Sequence, residues 1–159
     1  MPRKRKWKVL SEKEEKARKY WNATSFILMR LDQEFFEDIA YEVDLKYGIP
    51  FDEALILVQV LKELKELFPK KSESWFKRSA VRALFVVRKN DNWWLVPGFL
   101  SLGDEYSIYS VLYDKKEKKY TCDCFYHFYG EVRKAKICTH IGAVMVYRRL
   151  QRKLSEFMF

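Results

Sequence analysis

Between residues 17 and 43 apolar positions recur every three or four residues, at Ala17, Trp21, Thr24, Leu28, Leu31, Phe35, Ile39 and Val43. That is the period of one helix face. Ser11 with Glu14 forms a capping box at the start of the stretch, and Gly48-Ile49-Pro50 ends it. Two readings fit: one long helix, or a break near Leu31-Asp32 with Asp32 capping a second helix. Asp52 then predicts the cap of a further helix, with Leu55, Val58, Leu61, Leu64 and Phe68 on one stripe and Pro69 as its stop. Residues 11–70 therefore read as a helical hairpin or small bundle.

Beyond Lys70-Lys71-Ser72 the pattern changes. Val81 to Arg88 is rich in β-branched and aromatic residues and predicts a strand. Asn90-Asp91-Asn92 is a turn signal, and Trp93 to Val96 a second strand ended by Pro97-Gly98. Ser107 to Tyr113 and Tyr120 to Cys122 are two more strands, joined by the polar stretch Asp114 to Lys119. The C-terminus returns to helix, with Ala143, Tyr147, Leu150 and Leu154 on one side and Arg148, Arg149, Arg152 and Lys153 on another. The expected fold class is α+β: an N-terminal helical bundle, then a small antiparallel sheet and a C-terminal helix. The expected organisation is a basic arm over 1–10, a helical region over 11–70 and a second module over 78–155.

Composition supports a folded, soluble chain, since 48% of the residues are hydrophobic and 17% aromatic. No apolar run reaches the ~18–20 residues of a membrane span. The basic start, MPRKRKWK, has no apolar stretch behind it and is not expected to be a secretory signal. A cytoplasmic setting is therefore expected. The net charge of +9 is uneven: residues 1–10 carry five cations and no acid, and residues 131–159 seven cations against two acids. Two basic ends on a near-neutral body point to a polyanionic partner, in the cytosol chiefly nucleic acid.

The three cysteines of the chain lie in one short window, as Cys122-Asp123-Cys124 and Cys138-Thr139-His140. An odd count cannot pair internally as disulfides, so metal is the better reading. A C-x-C at a strand end puts both thiols on the same side, because side-chain direction alternates along a strand. A C-x-H at a helix start can do the same. Cys122, Cys124, Cys138 and His140 thus supply the four N/S donors that zinc takes in a tetrahedron. With every position filled, such a site is structural. His127 is a fifth candidate, read here as a loop residue or nucleic-acid contact.

A C-x-C and C-x-H pair preceded by a hydrophobic hairpin and followed by a small, apolar helix resembles the SWIM zinc finger family. The likeness covers Tyr109 to Leu150, about a quarter of the chain, with Cys122, Cys124, Cys138 and His140 on the ligand positions. The resemblance implies a ββα arrangement with the metal joining hairpin to helix, and a role in DNA binding or protein–protein contact. Members occur in transposase-related proteins, plant transcription factors, chromatin remodellers, recombination-mediator complexes and some ubiquitin ligases. This chain departs from the pattern in its aromatic and basic loop, Phe125 to Lys136, where many members have Pro or Gly near the second Cys.

The leading expectation is a non-catalytic, zinc-stabilised module that binds DNA or structured RNA, including RNA within a large RNA–protein assembly. Tyr126, Phe128 and Tyr129 would stack on bases. Arg133, Lys134 and Lys136 lie beside them, Arg148, Arg149, Arg152 and Lys153 follow on the last helix, and Arg3, Lys4, Arg5, Lys6 and Trp7 form the arm. The alternative is a protein-interaction adaptor in a recombination, transcription or ribosome-associated complex, docking through the N-terminal helices. Neither a membrane nor a small-molecule substrate is expected. No H-E-x-x-H, P-loop, G-x-S-x-G or deaminase motif occurs, so no enzymatic activity is expected.

Overall fold

The structure, a computed structural model, describes the backbone of residues 2–126 and 137–157, and their side chains except those of 2–11, 13, 126 and 157. The chain forms two compact units, Met1–Pro69 and Lys70–Phe159. Among the described residues no helix is long and apolar enough to cross a membrane.

The first unit holds helices α1 (Pro2–Arg30), α2 (Phe36–Tyr47) and α3 (Phe51–Leu67). The break near Leu31-Asp32 is real, but Asp32 does not cap α2. Phe35 stands at that position without a side-chain cap bond, and the Asp32 carboxylate accepts from Lys62 on α3 at 3.1 Å. Asp52 likewise lies in the first turn of α3, where its charge suits the helix dipole, and Pro50 is the cap residue. Residues 2–10 continue α1 and are not an extended arm, so Ser11 is interior to the helix. Helix α3 is the centre of this unit: Ala54, Ile56, Leu57, Val58, Val60, Leu61 and Leu64 are all buried. Tyr20, Ala23, Thr24 and Ile27 form the buried stripe of α1, continued by Leu31 just past its end, rotated from the one read in the sequence but sharing Thr24 and Leu31.

The second unit runs α4 (Glu73–Ala83), β1 (Val87–Asn90), β2 (Trp93–Pro97), β3 (Ile108–Asp114), β4 (Lys119–Cys122) and α5 (Thr139–Phe157). It includes a helix whose last residues, Val81 to Ala83, fall within the stretch Val81 to Arg88 that reads as strand. The reason lies just before it. The Ser72 hydroxyl accepts from the Trp75 amide, a side-chain cap that starts a helix there. Trp75, Phe76, Ser79, Ala80 and Ala83 are then buried at helical spacing. Burial of that stripe overrides the strand preference of Val81, and only Val87 onward joins the sheet.

The four strands form an antiparallel meander in the order β1-β2-β3-β4. Trp94 pairs with Val111, Val96 with Tyr109 and Val111 with Cys122. These five residues are buried in one core with Ile141, Ala143 and Val144 of α5. The alternate positions Trp93, Ile108 and Leu112 are exposed. Helix α5 also packs on α4. Gly142 sits at that crossing, where a β-carbon would lie 2.2 Å from the Ser79 hydroxyl and 2.9 Å from the Trp75 ring.

Gly142→Ala is therefore expected to lower the stability of this unit by about 1–3 kcal/mol through overpacking. Ala is the better helix former by about 1 kcal/mol, so a denaturant melt showing stabilisation would contradict the close approach of α4 and α5.

Candidate metal centre

Cys122 is the last residue of β4, and its register opposite Val111 turns its side chain into the core. Cys124 follows in a short 3-10 turn, Asp123–Tyr126. Asp123, between the two cysteines, accepts from the Ser110 amide of β3 at 2.8 Å and so pins the turn to the sheet. The Cys124 amide points back at the Cys122 sulfur, 3.5 Å away.

Cys138 immediately precedes α5, and the Ile141 amide of the first turn lies 3.5 Å from its sulfur. A thiolate at a helix N-terminus is stabilised by the unpaired amides and the helix dipole. The approach to this position is strained. Ile137 has φ of 52°, a left-handed conformation that costs a β-branched residue energy. Its carbonyl accepts from the Trp75 indole at 3.0 Å and the Lys71 ammonium at 3.1 Å, both from around α4. Helix α4 thereby holds the bend that delivers Cys138.

The four donors converge. One ligand atom from each of Cys122, Cys124, Cys138 and His140 lies within 4.8 Å of the others. Cys122, Cys124 and His140 are 3%, 0% and 3% exposed. The thiols are unequal. Hydrogen bonding to Cys124 and Cys138, with burial, pushes the Cys122 thiol up. Burial also opposes charge on Cys138, but hydrogen bonds from Cys122, Cys124 and the Ile141 and His140 amides outweigh it and hold that thiol well below its ordinary range.

The orientation of His140 fits a metal ligand. Its Nε2 lies 2.9 Å from Asp104 Oδ1, whereas Nδ1 is buried and has no hydrogen-bond partner. A proton on Nε2, donated to the carboxylate, leaves the Nδ1 lone pair bare; a buried orphan nitrogen is costly unless something occupies it. Carboxylate–histidine pairing of this kind fixes tautomer and ring orientation at metal sites. The imidazole is also stacked on Tyr109, with centroids 3.9 Å apart, and the Tyr109 hydroxyl accepts from the amides of Glu105 and Tyr106.

Asp104 is the hub of this outer layer. Arg82 donates to both its oxygens, at 2.5 and 3.0 Å, and the Phe99 amide donates at 2.7 Å. Burial alone would raise Asp104, but the donors from His140, Arg82 and Phe99 prevail and hold it well below the usual carboxylate range. Arg82 also donates to the Thr139 hydroxyl at 3.1 Å. One guanidinium thus links α4, the Asp104 loop and the first turn of α5.

The structure brings together all four residues of the two sequence clips. Arg148, Arg149, Arg152 and Lys153 all lie on α5, beginning about two turns beyond His140. Arg148 and Arg152 are exposed, and Arg149 donates to the Met145 carbonyl. The side chains of Arg3, Lys4, Arg5, Lys6, Trp7 and Tyr126 lie outside the described residues, as do His127, Phe128, Tyr129, Arg133, Lys134 and Lys136 entirely. Arg82, Asp104 and Tyr109 were not singled out from sequence. Arg82 carried a signal: it is a charged residue on the apolar stripe of Trp75 and Ser79, at helical spacing. Asp104, after Gly103 in a loop, carried none.

Asp104→Ala strips the buried guanidinium of its counter-charge and the imidazole of its acceptor. The expected cost is about 3–5 kcal/mol of stability and about 10–100-fold in metal affinity. Chelator competition and denaturant unfolding measure the two, and unchanged values for both would contradict this role.

Comparison with known proteins adds no relative to this arrangement: no family model matches the chain, and neither a curated protein nor a solved structure matches it.

Proposed function

We propose that this chain is a zinc-stabilised, non-catalytic nucleic-acid-binding protein. The observation that carries the metal reading is the convergence of ligand atoms from Cys122, Cys124, Cys138 and His140 within 4.8 Å of one another, with a buried His140 Nδ1 that has no hydrogen-bond partner. Soft thiolates with one imidazole favour zinc over oxygen-seeking cations such as magnesium or calcium. When bound, zinc would supply folding energy by tying β4 and the turn after it to the start of α5. The four protein donors leave no position for water or substrate, which speaks for a structural role. The spacing of these ligands is similar to that of the SWIM zinc finger, and this likeness belongs to the same proposal.

Nucleic acid is favoured as partner by charge. The +9 excess lies at the chain ends, and α5, whose N-terminus bears Cys138 and His140, carries four cations within six positions. Either DNA or structured RNA suits such a surface, whose attraction is to phosphate. A second reading, a protein-interaction adaptor, is favoured by one feature of the first unit. Tyr41 and Leu45, one turn apart on α2, are 60% and 69% exposed. Apolar groups so placed suit a partner groove.

Two measurements check these readings. Cys138→Ser should abolish zinc retention and cooperative unfolding of the Lys70–Phe159 unit, read by elemental analysis and circular dichroism; a stable, metal-free variant would contradict the structural role. Affinity of the metal-loaded protein for nucleic acid should fall steeply with salt, as log K against log [salt] with a slope of about −0.7 per phosphate contact for single strands. Absent binding at low salt, with tight salt-insensitive binding to an apolar helical peptide, would favour the adaptor.

A further inference from the structure

An open cleft of about 460 Å³ lies between the β1–β2 turn, the end of β3 and the middle of α5. That volume is within the ~300–1,000 Å³ range of ligand pockets. Its most unusual member is Arg148. The guanidinium carbon stands 5.0 Å from the ring centre of Trp94 and 5.6 Å from that of Tyr113, and Nη1 donates to the Tyr120 hydroxyl at 2.6 Å. Three aromatic side chains from β2, β3 and β4 hold this cation in place.

An exposed arginine ordinarily loses several rotamers on binding an anion. Here that ordering is already done by the sheet. Among the described residues no carboxylate pairs with Arg148, nor with Lys115, which also lines the cleft. Arg88, also lining the cleft, is bonded to Asp91. A fixed guanidinium with N–H donors left over, in a cleft that Lys115 also lines, suits a tetrahedral, doubly accepting oxyanion, and phosphate is the group whose oxygens match that fork. Tyr147, which also packs against the core, and Gln151 line the α5 side of the same cleft, an aromatic ring and an amide suited to the flat group beside the phosphate. Arg152, exposed, follows Arg148 by one turn, roughly 6 Å along the helix axis. The cationic row continues out of the cleft rather than closing around a single ligand.

We infer that this cleft binds one nucleotide unit of a single-stranded nucleic acid, with its phosphodiester between Arg148 and Lys115 and its base against Tyr147. The inference rests on the nucleic-acid reading above and assigns it a place. It also gives the aromatic clamp a purpose beyond packing: Trp94, Tyr113 and Tyr120 set the geometry of the phosphate donor.

The test uses the full-length, zinc-loaded protein and a fluorescently labelled thymidine oligonucleotide, titrated at a series of salt concentrations, with adenosine monophosphate in a parallel calorimetric arm. Arg148→Met keeps an apolar stem over Trp94, and Lys115→Gln lies on a turn away from the core, so the second variant reports even where the first perturbs folding. Each is expected to weaken strand binding by about tenfold or more and to reduce the salt slope by about 0.7, with little binding of the mononucleotide. Strand binding unchanged in both variants would overturn the cleft while leaving the nucleic-acid reading intact. No strand binding by the unaltered protein would overturn both. Mononucleotide binding lost in Arg148→Met, with strand affinity unchanged, would assign the cleft to a free nucleotide and overturn the strand.

Discussion

The second unit depends on the pairing of His140 with Asp104. A sulfur-rich donor set forms only if each donor faces inward, and an imidazole at the start of a helix has two nitrogens and a rotatable ring with which to miss. Asp104 removes that freedom by taking Nε2–H at 2.9 Å, and Tyr109 removes the remaining tilt by stacking at 3.9 Å. Asp104 can serve only because Arg82 neutralises it in a buried setting, where either charge alone would be strongly unfavourable. The pair is therefore best understood as a positioning device. An apolar pair of the same volume would pack as well, but it could not hold Nε2 and so leave the buried Nδ1 bare.

This dependence explains why α4 belongs with the sheet. It contributes Arg82 to Asp104 and Thr139, Trp75 to the strained carbonyl of Ile137, and Ser79 to the close approach at Gly142. The loop through Asp104 answers with its own constraints. Gly98, whose amide donates to the Ser107 carbonyl, has no room for a β-carbon beside the Tyr106 backbone. The metal residues and their supports thus come from five separate places in the chain, and the core residues Trp94, Val96 and Val111 lock the sheet that connects them.

Much of this was legible beforehand because it is encoded locally. Cys122 and Cys124 at a strand end, and Cys138 and His140 at a helix start, announce themselves by spacing. Trp94, Val96 and Val111 alternate with exposed neighbours, so three strand positions were evident. What escaped is encoded only in tertiary packing. Val81 to Arg88 has strand-forming residues, yet a cap at Ser72 and the buried stripe from Trp75 to Ala83 draw Val81 to Ala83 into a helix, and only Val87 and Arg88 join the sheet. Asp32 and Asp52 are good caps by type, but Lys62 claims the first and Pro50 precedes the second. Ser11 and Glu14 form a sound capping box that the continuing helix leaves unused. Asp104 has no sequence signature at all, since its side-chain partners lie 22 and 36 residues away.

Absorption at the zinc K-edge of the purified protein would probe this arrangement most directly. A first shell of three sulfurs near ~2.3 Å and one nitrogen near ~2.0–2.1 Å, at one zinc per chain, is the expected spectrum. An oxygen-dominated shell, a sulfur count of two or fewer, or no bound zinc would show that these thiols and the imidazole do not form a common centre.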